Sequence, residues 1–350
     1  MRTTTIGAYP KPDYVPIDDR RAGGEEDADT PEPARGYAET VAHYGEARLR
    51  EILDRATAEV VREQIELGVD IPTDGEVRRE NFVHYHCRHL RGVDFERPTA
   101  TEGRDGRSVP LPTITGPVAA GPPFLTADWR AAQAAARRPV KMTMPGPMTI
   151  GLNLADAHYH GDGRQRGADI ADALNKEVRA LAAAGCLYVQ IDEPALARRP
   201  DEALAFGIEH LERCFHRIPK EVTRTVHLSR GHPGALDAED DPEAPQDSYF
   251  ALAEALDDAA IDAVSLEDAH RPNDLRLLER FARTAVVLGV IDVARSRVEE
   301  PDEVRGRLRA ALEHIDAHRL TAAPDCGLGL LGRDLARRKL RVLTEAAHGL

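Results

Sequence analysis

The chain has 350 residues, 42% of them hydrophobic and 30% charged, with a formal net charge of −14. That is enough chain for one large α/β barrel or two ordinary domains. The acidic excess argues against a nucleic-acid or anionic-membrane surface, either of which needs a basic patch. No apolar stretch reaches 18 residues and "MRTTTIGAYPKP" carries no long apolar run, so neither a spanning helix nor a signal peptide is expected. Cys87, Cys186, Cys214 and Cys326 lie far apart with no CxxC pair, which suits a reducing cytoplasm.

The elements run as follows. "TTTIGAYP" (3–10) reads as a strand, and residues 11–36 as an acidic, proline- and glycine-rich loop. Residues 37–70 keep helical periodicity through Leu49, Ile52, Leu53, Ala56 and Val60. "IPTDGE" (71–76) is a strand entering a turn, "NFVHYHCRHLRGV" a helix, and 94–137 an irregular insertion rich in Gly, Pro and Thr. Strands are then expected at 139–147, 187–194, 224–231, 262–269, 285–293 and 320–327. Helices follow them at 165–184, 201–217, "DSYFALAEALDDAA", "NDLRLLERFAR", "EPDEVRGRLRAALEHID" and "GRDLARRKLRVLTEAA". Eight short apolar strands alternating with amphipathic helices predict parallel βα units. The fold class expected is a single (β/α)8 TIM barrel spanning 1–350, with an insertion after the second strand. A doubly wound sheet is the alternative, but no GxGxxG follows the first strand.

In such barrels the C-terminal strand ends form the active face. Here those ends carry Asp74 and Glu76, Asp192 and Glu193, His227 and Ser229, Glu267 and Asp268, Asp292, and Asp325 and Cys326. Each has a plain structural explanation, an acid as a helix cap and a cysteine as core filler. Together, His227, Glu267 and Cys326 offer an imidazole, a carboxylate and a thiolate from three strand ends, a set suited to zinc with one position open. The spacing of these residues leaves both explanations standing. "HYHCRH" (84–89) looks more metal-like, yet on a helix no four of its side chains share a side, so it is read as helix surface. "AHYHGDG" (157–163) is read as a loop.

Several of these stretches resemble the catalytic C-terminal barrel of cobalamin-independent methionine synthases and their single-barrel relatives, over nearly the whole chain. "TIGAYPKP" resembles that family's opening strand, and "DGEVRRENFV" its acidic second-strand turn. "VQIDEPAL" is similar to its fourth-strand motif, "PDCGL" to its last, and "GVIDVARSRVEEPDEV" follows it as well. The resemblance implies a zinc held by His227, Glu267 and Cys326. It implies that Glu76 and Asp192 hold the amino group of an amino-acid thiol such as homocysteine, with Gly7 and Ala8 lining that pocket. The partners implied are a small-molecule thiol and a methyl donor, folate among the candidates.

Four positions depart from the family. Where it carries His-x-Cys this chain reads "HLS", placing Ser229 at a zinc-ligand position, with His232 as a candidate substitute. A relay histidine falls on Ala294, a folate-flanking tryptophan near Asn153, and a first-strand serine on Ala8. These changes leave two alternatives to methyl transfer onto a thiol. One is a zinc-dependent thiol alkyltransferase or C–S lyase, which a "CRGN"-like "SRGH" supports. The other is a non-catalytic barrel acting as a binding protein.

Overall fold

The computed structural model describes residues 1–17, 32–102, 108–231, 233–239 and 244–350. Most of the acidic loop, and the candidate ligand His232, lie outside the described residues. Its strands are β1 (Arg2–Thr3), β2 (Leu90–Glu102), β3 (Ser108–Ala120), β4 (Met142–Pro145), β5 (Ala155–Asp156), β6 (Tyr188–Asp192), β7 (Thr223–Leu228), β8 (Ala263–Leu266), β9 (Ala285–Ile291) and β10 (Leu320–Pro324).

Seven of them form a parallel sheet in the order β1-β10-β9-β8-β7-β6-β4. Short β-branched and aliphatic runs such as "AVSL" and "AVVLGVI" are buried almost throughout, as strands covered on both faces must be. The sheet curls, and residues 71–73 link its two edges through isolated parallel bridges, Thr4 with Ile71 and Thr73 with Lys141. Register is in step across the site: Asp192 pairs with His227, and His227 with Ser265. In-register neighbours on parallel strands point to the same face, so these three side chains start from one side of the sheet.

Helices cover the outside. The helix Glu46–Glu66 buries Leu49, Leu53, Ala56 and Val60 along one stripe, each large side chain contributing about 2 kcal/mol by leaving water. The helix Gly163–Ala184 starts at Asp162, whose side chain accepts from the Gln165 N–H at 3.0 Å, and ends at Gly185 with φ 103°.

Three expectations need correction. The helix read through 37–70 is two helices, Glu32–Tyr44 and Glu46–Glu66, parted by Gly45 at φ 74°, where only glycine sits without strain. The segment 94–137 is not irregular: β2 and β3 form a long antiparallel hairpin, β5 adds to it, and Leu125–Ala134 is a helix. Residues 275–280 make a 3-10 turn, not an α-helix.

Candidate active site

His227 is the penultimate residue of β7, Glu267 directly follows β8, and Cys326 lies two residues past β10. One ligand atom from each lies within 4.8 Å of the others, and this is the one such His/Cys/Asp/Glu group among the described residues. His227 Nδ1 faces Ser265 Oγ at 3.0 Å, which orients the ring. Glu267 is held from behind at both oxygens: the Ser229 hydroxyl donates to Oε1 at 2.6 Å, and the Arg230 N–H to Oε2 at 2.7 Å. Burial, then the charge of Asp325, lifts the Glu267 carboxyl to about 7. An added cation would relieve that penalty, because it favours the ionised form.

Neighbouring groups hold the trio in place. Asp325 accepts from the backbone N–H groups of Asp268, Ala269 and His270 at 2.9, 2.9 and 2.7 Å, tying the loop after Glu267 to the strand that carries Cys326. Arg230 is fully buried, stacked 4.4 Å over Tyr249. Asp268 takes a bidentate pair from Arg307 and is structural. Asp292 accepts from the Ala294 N–H at 2.8 Å and faces His270 Nδ1 at 3.3 Å, so the His270 ring and the Ala294 backbone meet the same carboxylate.

Glu76 and Asp192 form a second acidic centre. Glu76 sits at φ 55° after Gly75 at φ 69°; this left-handed turn is braced by the Glu76 N–H donating to Asp74 Oδ1 at 3.1 Å. Glu76 Oε1 accepts from Arg79 at 2.9 Å and from the Thr143 hydroxyl at 2.8 Å. Asp192 is lifted to about 8, first by burial and next by the charge of Glu76. Gln190 donates to Asp192 Oδ1 at 2.6 Å and accepts from Lys141 Nζ at 2.5 Å. Gly7 leaves room for this carboxylate: a Cβ there would lie 2.6 Å from Glu76 Oε1. Ala8 lies against Gly327, next to Cys326, and its carbonyl accepts from the Leu328 N–H at 2.7 Å.

Glu193, at a strand end, serves the frame. Glu193 accepts from the Met148 and Thr149 N–H groups at 2.9 and 2.7 Å, capping the helix Pro147–Leu152. The "HYHC" turn is not helix surface: His84, Tyr85, His86 and Cys87 are all buried. Tyr85 donates to Asp128 at 2.6 Å, and His86 Nδ1 contacts the Phe82 carbonyl at 2.9 Å. Sequence reasoning passed over Lys141, Thr143, Gln190 and Arg79. The first three are polar residues at alternate positions of otherwise apolar strands, the pattern of side chains turned to one face of a curled sheet.

The fold and the site together define an α/β enzyme with its polar machinery gathered at the C-terminal ends of a curled parallel sheet. The catalytic-domain profile of the cobalamin-independent synthases matches residues 1–204 and 246–349, and the chain belongs to that family. It is similar to the methionine synthase of Thermococcus kodakarensis, 28% identical over 343 residues covering 97% of this chain and 90% of that one. It is equally similar to that of Saccharolobus islandicus, 28% over 350 residues covering 99% and 93%. Among solved structures, a B12-independent methionine synthase from Shewanella sp. W3-18-1, in complex with selenomethionine, superposes with a TM-score of 0.84 at 29% identity, covering 99% of this chain and 96% of that one. Among the described residues no helix is long and apolar enough to cross a membrane.

Proposed function

We propose that the protein is a zinc-dependent methyltransferase that places a methyl group on the thiol of a homocysteine-like amino acid. The whole chain would work as one (β/α)8 barrel in the cytoplasm, residues 71–73 serving as its second strand. The observation that carries the reading is the convergence of His227, Glu267 and Cys326 within 4.8 Å, one strand away from the Glu76–Asp192 pair.

The residues fit zinc. Imidazole, carboxylate and thiolate are its ligand types, and Glu267 is oriented from behind by Ser229 and Arg230 as outer partners orient metal-bound carboxylates. Zinc held there supplies a Lewis acid that keeps an acceptor thiol deprotonated at neutral pH. Glu76 and Asp192, two buried acids of which Asp192 is lifted to about 8, suit an incoming ammonium, whose charge stabilises both carboxylates. That pairing fixes the acceptor's orientation, so its sulfur is presented in one direction to the donor. Selenomethionine, named with the Shewanella relative, is an amino acid bearing a methylated chalcogen, the shape expected of a product at such a site. An ammonium pocket also disfavours the alkyltransferase alternative, whose thiol carries no amino group.

The direct test is methyl transfer to homocysteine from methyltetrahydrofolate and from smaller methyl donors, with zinc-loaded and chelated protein. Methionine formed only by the zinc-loaded protein supports the proposal. No methylation of any amino-acid thiol by any donor would remove it.

A further inference from the structure

The candidate mechanism leaves a buried amine without a task. Lys141 is 3% exposed, just ahead of β4, with its backbone N–H tied to the Pro72 carbonyl at 2.9 Å. Its Nζ donates to Gln190 Oε1 at 2.5 Å, and the Gln190 amide nitrogen donates to Asp192 Oδ1 at 2.6 Å and to the Ile6 carbonyl at 2.7 Å.

The two ends of a glutamine amide are almost the same shape, so chemistry alone decides which way it points. The Ile6 carbonyl can only accept, at any pH, so the amide nitrogen must face it. The same nitrogen reaches Asp192 Oδ1, and the amide oxygen is left facing Lys141 Nζ, which can donate to it whether charged or neutral. The reversed amide would set oxygen against the Ile6 carbonyl, a repulsive contact in place of a hydrogen bond.

We infer that Lys141 is a positioning residue: it fixes the Gln190 amide, which holds Asp192 Oδ1 and leaves Oδ2 to meet the acceptor's ammonium. The inference rests on the reading of Glu76 and Asp192 as the ammonium site.

The sign of the effect separates this role from simple charge. Deleting a cation near an ammonium site tightens binding if Coulomb's law acts alone. Loss of positioning weakens it, by about tenfold for one misplaced charge-assisted hydrogen bond. The experiment measures binding of homocysteine and of 4-sulfanylbutanoate, the same thiol acid without its amino group, to the zinc-loaded protein by calorimetry. Lys141→Met should lose about tenfold for homocysteine and nothing for the deaminated thiol. Gln190→Met should do the same, and the double variant should lose no more than either single one, since both act through one bond. Gln190→Met carries the test alone if Lys141→Met fails to fold.

Equal weakening of both thiols would mean that Lys141 only packs the interior and would overturn the inference, as would tighter homocysteine binding or additive losses. A wild-type protein that binds both thiols equally would overturn the ammonium reading itself, and the inference with it.

Discussion

Replacing Ser229 with alanine should perturb the proposed metal site without touching a proposed ligand. The hydroxyl donates to Glu267 Oε1 at 2.6 Å inside a buried pocket, and a hydrogen bond to a charged group is worth about 1.5–3 kcal/mol. Two effects oppose each other. Without Ser229 the carboxylate is more basic, which favours the metal, but it is held only at Oε2 by the Arg230 N–H at 2.7 Å and must be ordered on binding. Orientation should win, because loss of an outer-sphere partner typically weakens a metal site by about 10–100-fold. With one anchor left, the lower end of that range applies. Zinc affinity measured against a chromophoric chelator at pH 7.5 should therefore fall about tenfold in Ser229→Ala. Ser229→Cys should instead tighten zinc and add a second thiolate band to the spectrum of the cobalt-substituted protein. Unchanged or stronger zinc binding by Ser229→Ala would refute the assignment of Ser229 as the residue that orients Glu267.

Gly7→Ala should drive a methyl group to within 2.6 Å of Glu76 Oε1. It should raise KM for the amino-thiol by about tenfold or more, the loss expected for one displaced charge-assisted contact, while bound zinc stays as in the wild type; loss of zinc instead would place Gly7 in the wrong pocket. Metal-free protein should lose stability as pH rises from 6.5 to 8. Burial, first among the causes, lifts Asp192 to about 8 and both Glu193 and Glu267 to about 7, above their unfolded values. Lys141, lowered by burial to about 7, acts in the opposite sense, but the three acids outnumber it. The folded state therefore binds more protons in that window and stability falls with pH. Urea midpoints at the two pH values check the sign, and zinc should flatten the difference; a midpoint that rises with pH would contradict it.

The cadence of strands and helices was legible because each inner strand is a short apolar run bounded by turns, and burial on both faces demands that pattern. The proposed metal trio was legible only as three separate strand ends. His227, Glu267 and Cys326 are separated by 40 and 59 residues, and spacing carries no geometry at that range; family resemblance carried the choice, and the fold brings the three together. The hairpin was hidden by its composition. Pro98, Pro110, Pro112 and Pro117 read as breakers, yet β2 and β3 accommodate them with register shifts between Arg91 and Val93 and between Asp94 and Thr99. "HYHC" misled because polarity was read as exposure: the turn is buried, with Tyr85 bonded to Asp128, His84 edge-on to Phe95 and His89 stacked on Phe124 at 3.7 Å. Lys141 and Gln190 went unnoticed because a lone polar residue in a strand has no local pattern; its meaning comes from the strand beside it.

The central claim is that the three strand ends hold one metal ion, and elemental analysis of the purified protein, after removal of loosely held ions, tests it most directly. The account predicts about one zinc per chain in the wild type and almost none in Cys326→Ser, with the fold retained by circular dichroism. A wild-type protein that stays metal-free when zinc is supplied, or a Cys326→Ser variant that keeps its full complement, would contradict it.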